Sequence, residues 1–397
     1  MSWDLSLPGL GPVLHLAGCP EVLSALQEAM PGWPVEVIKA DVSPTTIRLH
    51  RDGEGYCQHS PALPDGLFLT TPAQAVCSLI ADLVGEYFDR HPDCIGLHCG
   101  SAEVAGRLVV FPESHRAGKS TLTAAFAAAG YRVFGDDVLA LTPEGLGRGL
   151  GIAPRLRLPL PDSLDPGLID FATRHAGPED DRYRYLMPPQ SQLAAHGEEA
   201  PLGALVLFER EVGLMIPEIL PLAPGEGLLQ LLCQNFAHDA RSETMVERFL
   251  PLMGEVPCLL LRYSEPLAAA RALGDALAGP LPATLHEIRL ASRPATQAAP
   301  LAAGPWAPEE AVLDYPLGEE LFLVDATSGA IHRLNATGRL IWQMLRHEPL
   351  SPEELSELIG EHFGQPSARV LDDVQALLVE LAGAGLVSPA MSITAAQ

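Results

Sequence analysis

Lysine is almost absent from this sequence, because only two of its 25 basic residues are lysines, Lys39 and Lys119. No basic and apolar segment opens the chain, and no apolar run is long enough to span a bilayer. The 7 cysteines are scattered without the paired spacing of a metal site. Such cysteines are typical of free thiols in a reducing compartment. We therefore expect a cytoplasmic protein without a membrane partner.

The chain is strongly acidic, with 50 Asp and Glu residues and a net charge of −25. Nucleic acids and anionic membranes are bound through basic surfaces, so this charge disfavours both as partners. The length of 397 residues and the hydrophobic content of 47% predict two or three domains with their own cores. The sequence leaves open whether the chain forms a homo-oligomer.

One of the two lysines lies in a segment typical of nucleotide phosphate sites. An apolar run at 108–111 precedes it, an Ala-rich helix at 121–129 follows it, and between them stand Ala117, Gly118, Lys119, Ser120 and Thr121. In P-loop proteins the Lys contacts the β and γ phosphate oxygens and the hydroxyl meets Mg²⁺. We therefore expect these residues to bind ATP and Mg²⁺. Glu113 departs from the full pattern, which has Gly there; the alternative is a helix cap with the same residues.

Two adjacent carboxylates follow the next predicted strand, at 131–134. A strand, helix and strand in this order form a crossover that brings the carboxyl ends of the two strands together. Asp136 and Asp137 should therefore lie beside Lys119. One carboxylate can hold Mg²⁺ while the other accepts a proton from an attacking hydroxyl. We expect Asp136 to be the base and Asp137 the metal ligand; a solvated Asp-Asp turn is the alternative.

Together, His98, the 117–121 segment, Gly130-Tyr131 and Asp136-Asp137-Val138 resemble the HPr kinase/phosphorylase superfamily, and more closely its members in bacterial peptide natural-product clusters. The resemblance covers about residues 90–275 and is strongest over 98–138. It implies that His98 acts next to the catalytic Asp. It also implies that an Arg stabilises charge on the transferring phosphoryl group, and the choice stays open among four candidates, Arg155, Arg157, Arg182 and Arg184.

A different pattern begins near Trp306. Three predicted strands at 311–315, 320–325 and 330–334 precede three predicted helices at 336–346, from 352, and at 367–384. With the Leu-Asn-Ala-Thr-Gly segment at 334–338, they resemble the coenzyme PQQ synthesis protein D family. The resemblance implies a winged-helix-like module that binds the leader of a precursor peptide. An extended leader peptide would pair, as an added strand, with the sheet edge formed by Ile331, His332, Arg333 and Leu334. One side of its groove would be a wall formed by the third helix, through Val374, Leu377 and Leu378.

Two alternative interpretations of this C-terminal module are a DNA-binding domain and a structural appendage. For the three wall residues, the alternative is plain core packing. Between residues 306 and 397 there are 14 acidic residues, 4 arginines and no lysine. DNA binding depends on Lys and Arg contacts with phosphate, so the charge argues against DNA.

The predicted organisation has four parts. Residues 1–87 form an N-terminal α+β region that packs on the kinase core, and 88–290 form an α/β P-loop domain of the HPr-kinase-like type. An Ala/Pro linker at 291–305 leads to the winged-helix-like α+β domain at 306–397, with three strands and three helices.

Three functions are consistent with these patterns. The first is an ATP-dependent Ser/Thr peptide kinase of RiPP biosynthesis whose C-terminal domain binds the precursor's leader. The second is a non-catalytic peptide-recognition scaffold with a degenerate phosphate loop. The third is a small-molecule kinase with a regulatory C-terminal domain. The intact Gly118, Lys119 and Ser120 favour catalysis, and Glu113 counts against it.

Overall fold

The computed structural model describes residues 1–38, 45–112, 118–161, 163–236, 240–279 and 304–390. Glu113, Ala117 and most of the predicted linker lie outside these described residues. The chain divides into two compact units, the first of Met1–Asp239 with Glu255–His286 and the second of Ala240–Gly254 with Glu287–Gln397. Within the described ranges, no helix is both long and apolar enough to cross a membrane.

The first part of unit 1 is a six-stranded sheet whose core includes residues of two helices. Its elements are β1 (Ser2–Leu7), β2 (Gly11–Ala17), α1 (Pro20–Ala29), β3 (Glu36–Ile38), β4 (Ile47–Asp52), β5 (Gly55–Ser60), β6 (Leu63–Leu69) and α2 (Pro72–Arg90). The strand order is β3-β1-β2-β4-β5-β6. Helix α2 begins where the Thr71 hydroxyl accepts a hydrogen bond from the Gln74 N–H and Pro72 takes the first helical position.

The remaining elements up to residue 277 belong to unit 1, apart from α6. They are β7 (Ile95–Leu97), β8 (Cys99–Val104), β9 (Arg107–Pro112), α3 (Lys119–Ala128), β10 (Arg132–Gly135), β11 (Leu139–Leu141), β12 (Leu146–Arg148), β13 (Arg155–Arg157), α4 (Pro166–Arg174), β14 (Ala176–Glu179), β15 (Tyr183–Leu186), β16 (Glu199–Arg210), β17 (Glu218–Leu222), α5 (Pro224–Leu232), α6 (Ser242–Glu255), β18 (Cys258–Tyr263) and α7 (Pro266–Leu277).

These strands form a nine-stranded mixed sheet and a small three-stranded sheet. In the large sheet the order β10-β8-β9-β16 continues to β18 and β17, while β12, β11 and β7 extend from β16. Strand β8 is antiparallel to both β9 and β10, so β9 and β10 run in the same direction, as the crossover predicted. The sequence did not predict β8 between them. The small sheet has the order β13-β15-β14.

Unit 2 contains the predicted three strands and three helices, together with an additional pair of strands. The elements are β19 (Trp306–Pro308), β20 (Val312–Leu317), β21 (Glu320–Asp325), β22 (Ile331–Leu334), α8 (Ala336–His347), α9 (Pro352–Phe363), α10 (Ser367–Gly383) and β23 (Val387–Pro389). The predicted cap of α8 is confirmed, because the Asn335 side chain accepts a hydrogen bond of 2.9 Å from the Gly338 N–H. The core packs around Trp342, which is fully buried.

Helix α6 belongs to unit 2 although the chain places it between elements of unit 1. The Ser242 hydroxyl donates a hydrogen bond of 2.6 Å to the Gly329 carbonyl. The Tyr315 hydroxyl donates one of 3.2 Å to Glu247. The predicted kinase-like domain at 88–290 includes this helix, because local periodicity carries no information about which distant strands a helix contacts.

Candidate functional site

Lys119 is the first residue of α3 and lies at the junction between β9 and the helix. The preceding Gly118 has a φ of +99°, a left-handed conformation that favours glycine. The Lys119 side chain is 7% exposed, and its Nζ donates a hydrogen bond of 3.0 Å to Asp137 Oδ1. Ser120 and Thr121 follow in the first turn, where helix N–H groups attract anions.

The two carboxylates leave β10 through a tight turn. A Cβ atom at Gly135 would lie 2.1 Å from the Val138 carbonyl oxygen, so a larger residue would force the turn to move. Asp136 and Asp137 follow this glycine, and Asp137 reaches the ammonium group of Lys119. The placement of the carboxylates beside Lys119 therefore agrees with the crossover expected from the sequence.

Asp136 is the buried member of the pair, with 4% of its surface exposed. Its Oδ2 accepts a hydrogen bond of 3.1 Å from the backbone N–H of Arg155. Its Oδ1 has no hydrogen-bond partner among the described residues. Burial, followed by the charge of Asp137, raises the pKa of Asp136 to about 7, against opposing contributions from Lys119 and from hydrogen bonds of Arg155 and Ser120.

Asp137 is the accessible member, with 37% of its side chain exposed. Its Oδ1 lies 3.4 Å from His98 Nε2. Its Oδ2 accepts a hydrogen bond of 3.2 Å from Arg155 Nη2. Burial alone would raise the pKa of Asp137, but the His98 hydrogen bond and the charges of Lys119 and Arg155 outweigh it and hold this pKa well below its usual range.

The structure brings one of the four candidate arginines, Arg155, to the carboxylate pair. Its guanidinium also stacks over the Tyr183 ring at 4.6 Å. Arg157 is exposed near the same ring, at 6.0 Å from its centroid. Arg184 forms an ion pair with Glu179. Arg182 lines a neighbouring cavity and does not contact either carboxylate.

A cavity of about 390 Å³ opens beside the carboxylates, and no sequence pattern predicted it. Asp137, His98 and Arg155 line one part of it. The other part is lined by four residues of α2, namely Cys77, Ile80, Ala81 and Val84. The apolar pattern of α2 indicated a packed helix, but periodicity cannot distinguish a position that meets a core from one that meets a cavity.

In unit 2 the strand order is β20-β21-β22, so the segment Ile331–Leu334 is an edge strand. No further strand pairs with β22 in the part of the chain that the structure describes. Ile331, His332 and Arg333 are half-buried, and the Arg333 guanidinium is held by Glu320, with Nε at 3.0 Å from the carboxylate. The edge therefore retains the geometry that strand addition requires.

The predicted wall on α10 needs correction. Val374 is 1% exposed and Leu378 is 0% exposed, and both pack in the core of unit 2. Their side chains present no surface to a peptide in this conformation. Leu377 is half-buried and remains the one wall residue that a ligand could touch. An apolar stripe on a helix predicts burial, but the sequence does not show which of its residues reach the surface.

Comparison with known proteins gives a family for part of unit 2. Residues 320–387 match the family described as coenzyme PQQ synthesis protein D (PqqD). No curated protein sequence matches the chain. One of the solved structures that match is "TbiB1 in Complex with the TbiA(beta) Leader Peptide", with 24% identity, 22% of this chain and 99% of that chain covered, and a TM-score of 0.20. The C-terminal part of this chain is PqqD-like.

Proposed function

We propose that this protein is an ATP-dependent kinase that phosphorylates a Ser or Thr hydroxyl of a ribosomally made precursor peptide, whose leader the C-terminal domain binds. The observation that supports catalysis best is the cluster at the start of α3. Lys119, Arg155 and His98 converge on Asp137, with a second carboxylate, Asp136, directly behind it. Cations, a helix N-terminus and two carboxylates of different exposure are the groups that phosphoryl transfer needs.

The phosphates of ATP fit the N-terminal end of α3. Gly118 lets the backbone turn into the helix, and the free N–H groups of the first turn favour an anion. Lys119 would exchange its contact with Asp137 for the phosphate oxygens, because a triphosphate offers more negative charge than one carboxylate. Arg155 is held by the same carboxylate and could stabilise the transferring group after the same exchange.

The residues present also fit Mg²⁺. Among the described residues the buried Asp136 Oδ1 has no hydrogen-bond partner, and a hydrogen bond from Ser120 lowers the pKa of the same carboxylate. A hydroxyl and a carboxylate at this position are the protein ligands that Mg²⁺ takes in P-loop enzymes, and the remaining ligands are water and phosphate. When bound, Mg²⁺ would neutralise phosphate charge. Asp136 and Ser120 would hold it.

This geometry favours the opposite assignment to the one that the sequence suggested: Asp137 as the base and Asp136 as the metal ligand. A general base must first reach the proton that it removes, and only then does its pKa matter. Both carboxylates line the cavity, but Asp137 is the exposed one and contacts His98, whereas Asp136 is buried. Asp137 would accept the hydroxyl proton as the oxygen attacks the γ-phosphorus and ADP leaves. Loss of the Lys119 contact to the phosphates would make Asp137 more basic at that moment.

Leader recognition is supported by the PqqD match and by the free edge of β22. An extended leader would add a strand beside Ile331–Leu334, and its side chains would reach Leu377 on α10. Backbone pairing would supply affinity, and the alternate side chains would supply specificity. Tethering the leader raises the effective concentration of the acceptor hydroxyl at the kinase site.

The test uses the full-length protein with radiolabelled ATP, Mg²⁺ and candidate precursor peptides sought among the products of the neighbouring genes. We expect transfer of one phosphate to a Ser or Thr, and loss of both ATP affinity and transfer in Lys119→Ala. Lys39→Ala, which removes the other lysine of the sequence, is the matched control and should behave as wild type. Equal ATP binding by wild type and Lys119→Ala in a calorimetric titration would reject this nucleotide site.

A second candidate, a leader-binding scaffold without catalysis, is favoured by one observation: the family match lies at residues 320–387, in the proposed leader-binding part. A scaffold would bind the leader with the same affinity in wild type and Lys119→Ala and would bind no ATP. The titration above separates the two functions without any peptide.

A further inference from the structure

A second cavity of about 330 Å³ adjoins the cavity beside Asp137. Four residues line both of them: Cys77, Ala81, Arg155 and Tyr185. The Arg155 guanidinium contacts Cys77 Sγ where the two cavities meet, so a peptide that occupies both must displace this contact. The two adjoining cavities are together called the acceptor groove below. Its inner end is at the carboxylate pair, and its outer end is bounded by Asp180, Arg182 and Tyr183.

The two walls of the acceptor groove come from different parts of the sequence. Helix α2 supplies one wall, with Ala81 exposed at its middle. The small sheet supplies the other. Arg155 is paired with Tyr185 across β13 and β15, and directly paired residues point to the same face of a sheet. The N-terminal region, to which the sequence assigned no chemistry, thus forms half of a groove that ends at the carboxylates.

Among the described residues no carboxylate lies within ion-pair distance of Arg182, which also holds for Arg157 and Arg271, but of these three Arg182 alone lines one of the two cavities. Its neighbour Arg184 pairs with Glu179, as Arg132 does with Glu198 and Arg148 with Glu199. Asp180 also lines the outer end, but its Oδ1 already accepts hydrogen bonds of 2.8 Å and 2.7 Å from the backbone N–H groups of Arg182 and Tyr183. The guanidinium of Arg182 therefore remains available to a ligand.

We infer that the acceptor groove binds the segment of the peptide that is phosphorylated, with the hydroxyl at Asp137 and a carboxylate of the peptide at Arg182. This inference rests on the proposed function and specifies its substrate. The apolar side chains of Ile80 and Val84 at the inner end select an apolar residue next to the hydroxyl. The carboxylate belongs either to an acidic side chain or to the C-terminus of the peptide, because a guanidinium recognises both.

The experiment uses synthetic peptides with one Ser in an Ala background, in which a single Asp is moved from position to position. Each peptide is made with a free and an amidated C-terminus. Wild type should show at least about a tenfold higher kcat/KM for one carboxylate position, as expected for a charge-assisted hydrogen bond. If the higher kcat/KM depends on the position of Asp, the carboxylate that Arg182 binds is an acidic side chain. If it depends on the free C-terminus, the carboxylate is that of the peptide's last residue.

Arg182→Gln should abolish that preference, whereas Arg184→Gln should retain it, because Arg184 lines neither cavity and pairs with Glu179. Ala81→Leu should raise KM at least tenfold by filling the groove. Gly85→Leu, one turn further along α2 where a Cβ meets nothing within 4 Å, is its control and should leave KM unchanged. Equal behaviour within each pair of variants would overturn the inference.

Alkylation of Cys77 tests the groove without any catalysis. Cys77 lines both cavities, whereas Cys233 is exposed and lines neither, so it serves as an internal reference. Peptide at saturating concentration should slow iodoacetamide modification of Cys77 at least about tenfold and leave Cys233 unaffected, as mass spectrometry would show. Protection without phosphoryl transfer would support the groove and reject the kinase; transfer without protection would reject the groove alone.

Discussion

Replacing Asp136 with Asn should stabilise the metal-free protein at pH 8 and change its stability little near pH 4. The carboxyl is buried, and burial together with the charge of Asp137 raises its pKa to about 7. In the unfolded chain the same group ionises near its ordinary value of 3.8. The folded protein therefore binds more protons than the unfolded chain between these two values, and its stability falls as pH rises through that window.

The difference between about 7 and 3.8 corresponds to a cost on the order of 4 kcal/mol once the pH exceeds the folded pKa. Asn has the same shape and keeps an acceptor for the Arg155 backbone N–H, but it never ionises. The free energy of unfolding of Asp136→Asn should therefore exceed that of wild type by up to about 4 kcal/mol at pH 8. This stability cost is expected of a site whose chemistry needs two adjacent carboxylates.

The assay is urea unfolding of full-length protein in EDTA, at pH values from about 4 to 8, followed by circular dichroism. Asp137→Asn is the matched control and should show the opposite sign. The pKa of Asp137 is lowered, so its stabilisation is present at neutral pH and disappears as pH falls below the ordinary carboxyl range. A difference between wild type and Asp136→Asn that stays constant across this pH range would refute the electrostatic reasoning.

Three further predictions concern both units. Asp137→Asn should lower kcat for phosphoryl transfer by at least about a hundredfold while ATP affinity, measured by titration, stays within severalfold. Leu378→Ala should reduce the free energy of unfolding by about 2–5 kcal/mol because it opens a cavity in the core, whereas Leu377→Glu should weaken leader binding, measured by fluorescence anisotropy, with little loss of stability. Asn335→Ala should cost about 1 kcal/mol in urea unfolding by removing the cap of α8.

Local patterns in the sequence were sufficient to predict where α3 begins and where the turn with the two carboxylates lies. Gly118 and Lys119 mark the helix N-terminus, and a short helix between two strands forces a parallel crossover. The sequence could therefore predict that Asp137 lies near Lys119. It could not predict that Asp136 is buried and Asp137 exposed, because adjacent residues of the same type differ only in which side of the turn faces the core.

The arginines show a second limit of sequence reasoning. The family resemblance left four equivalent candidates, Arg155, Arg157, Arg182 and Arg184, and their places in the structure separate them. The register of β13 with β15 directs Arg155 towards the carboxylates and leaves Arg184 on the other face. Register depends on contacts between segments far apart in the chain, and a single sequence does not contain that information in readable form.

The contacts of α6 determine how the leader-binding proposal should be tested. Deleting everything after about residue 300 would remove Gly329, the hydrogen-bond acceptor of Ser242, and Tyr315, the donor to Glu247. The helix would lose these two partners within its own unit. A truncated chain that fails to phosphorylate the precursor would therefore not distinguish lost leader binding from damaged folding. Leu377→Glu keeps every one of these contacts, and a higher KM with unchanged kcat in this variant would indicate lost leader binding, because it removes ground-state affinity remote from the reacting groups.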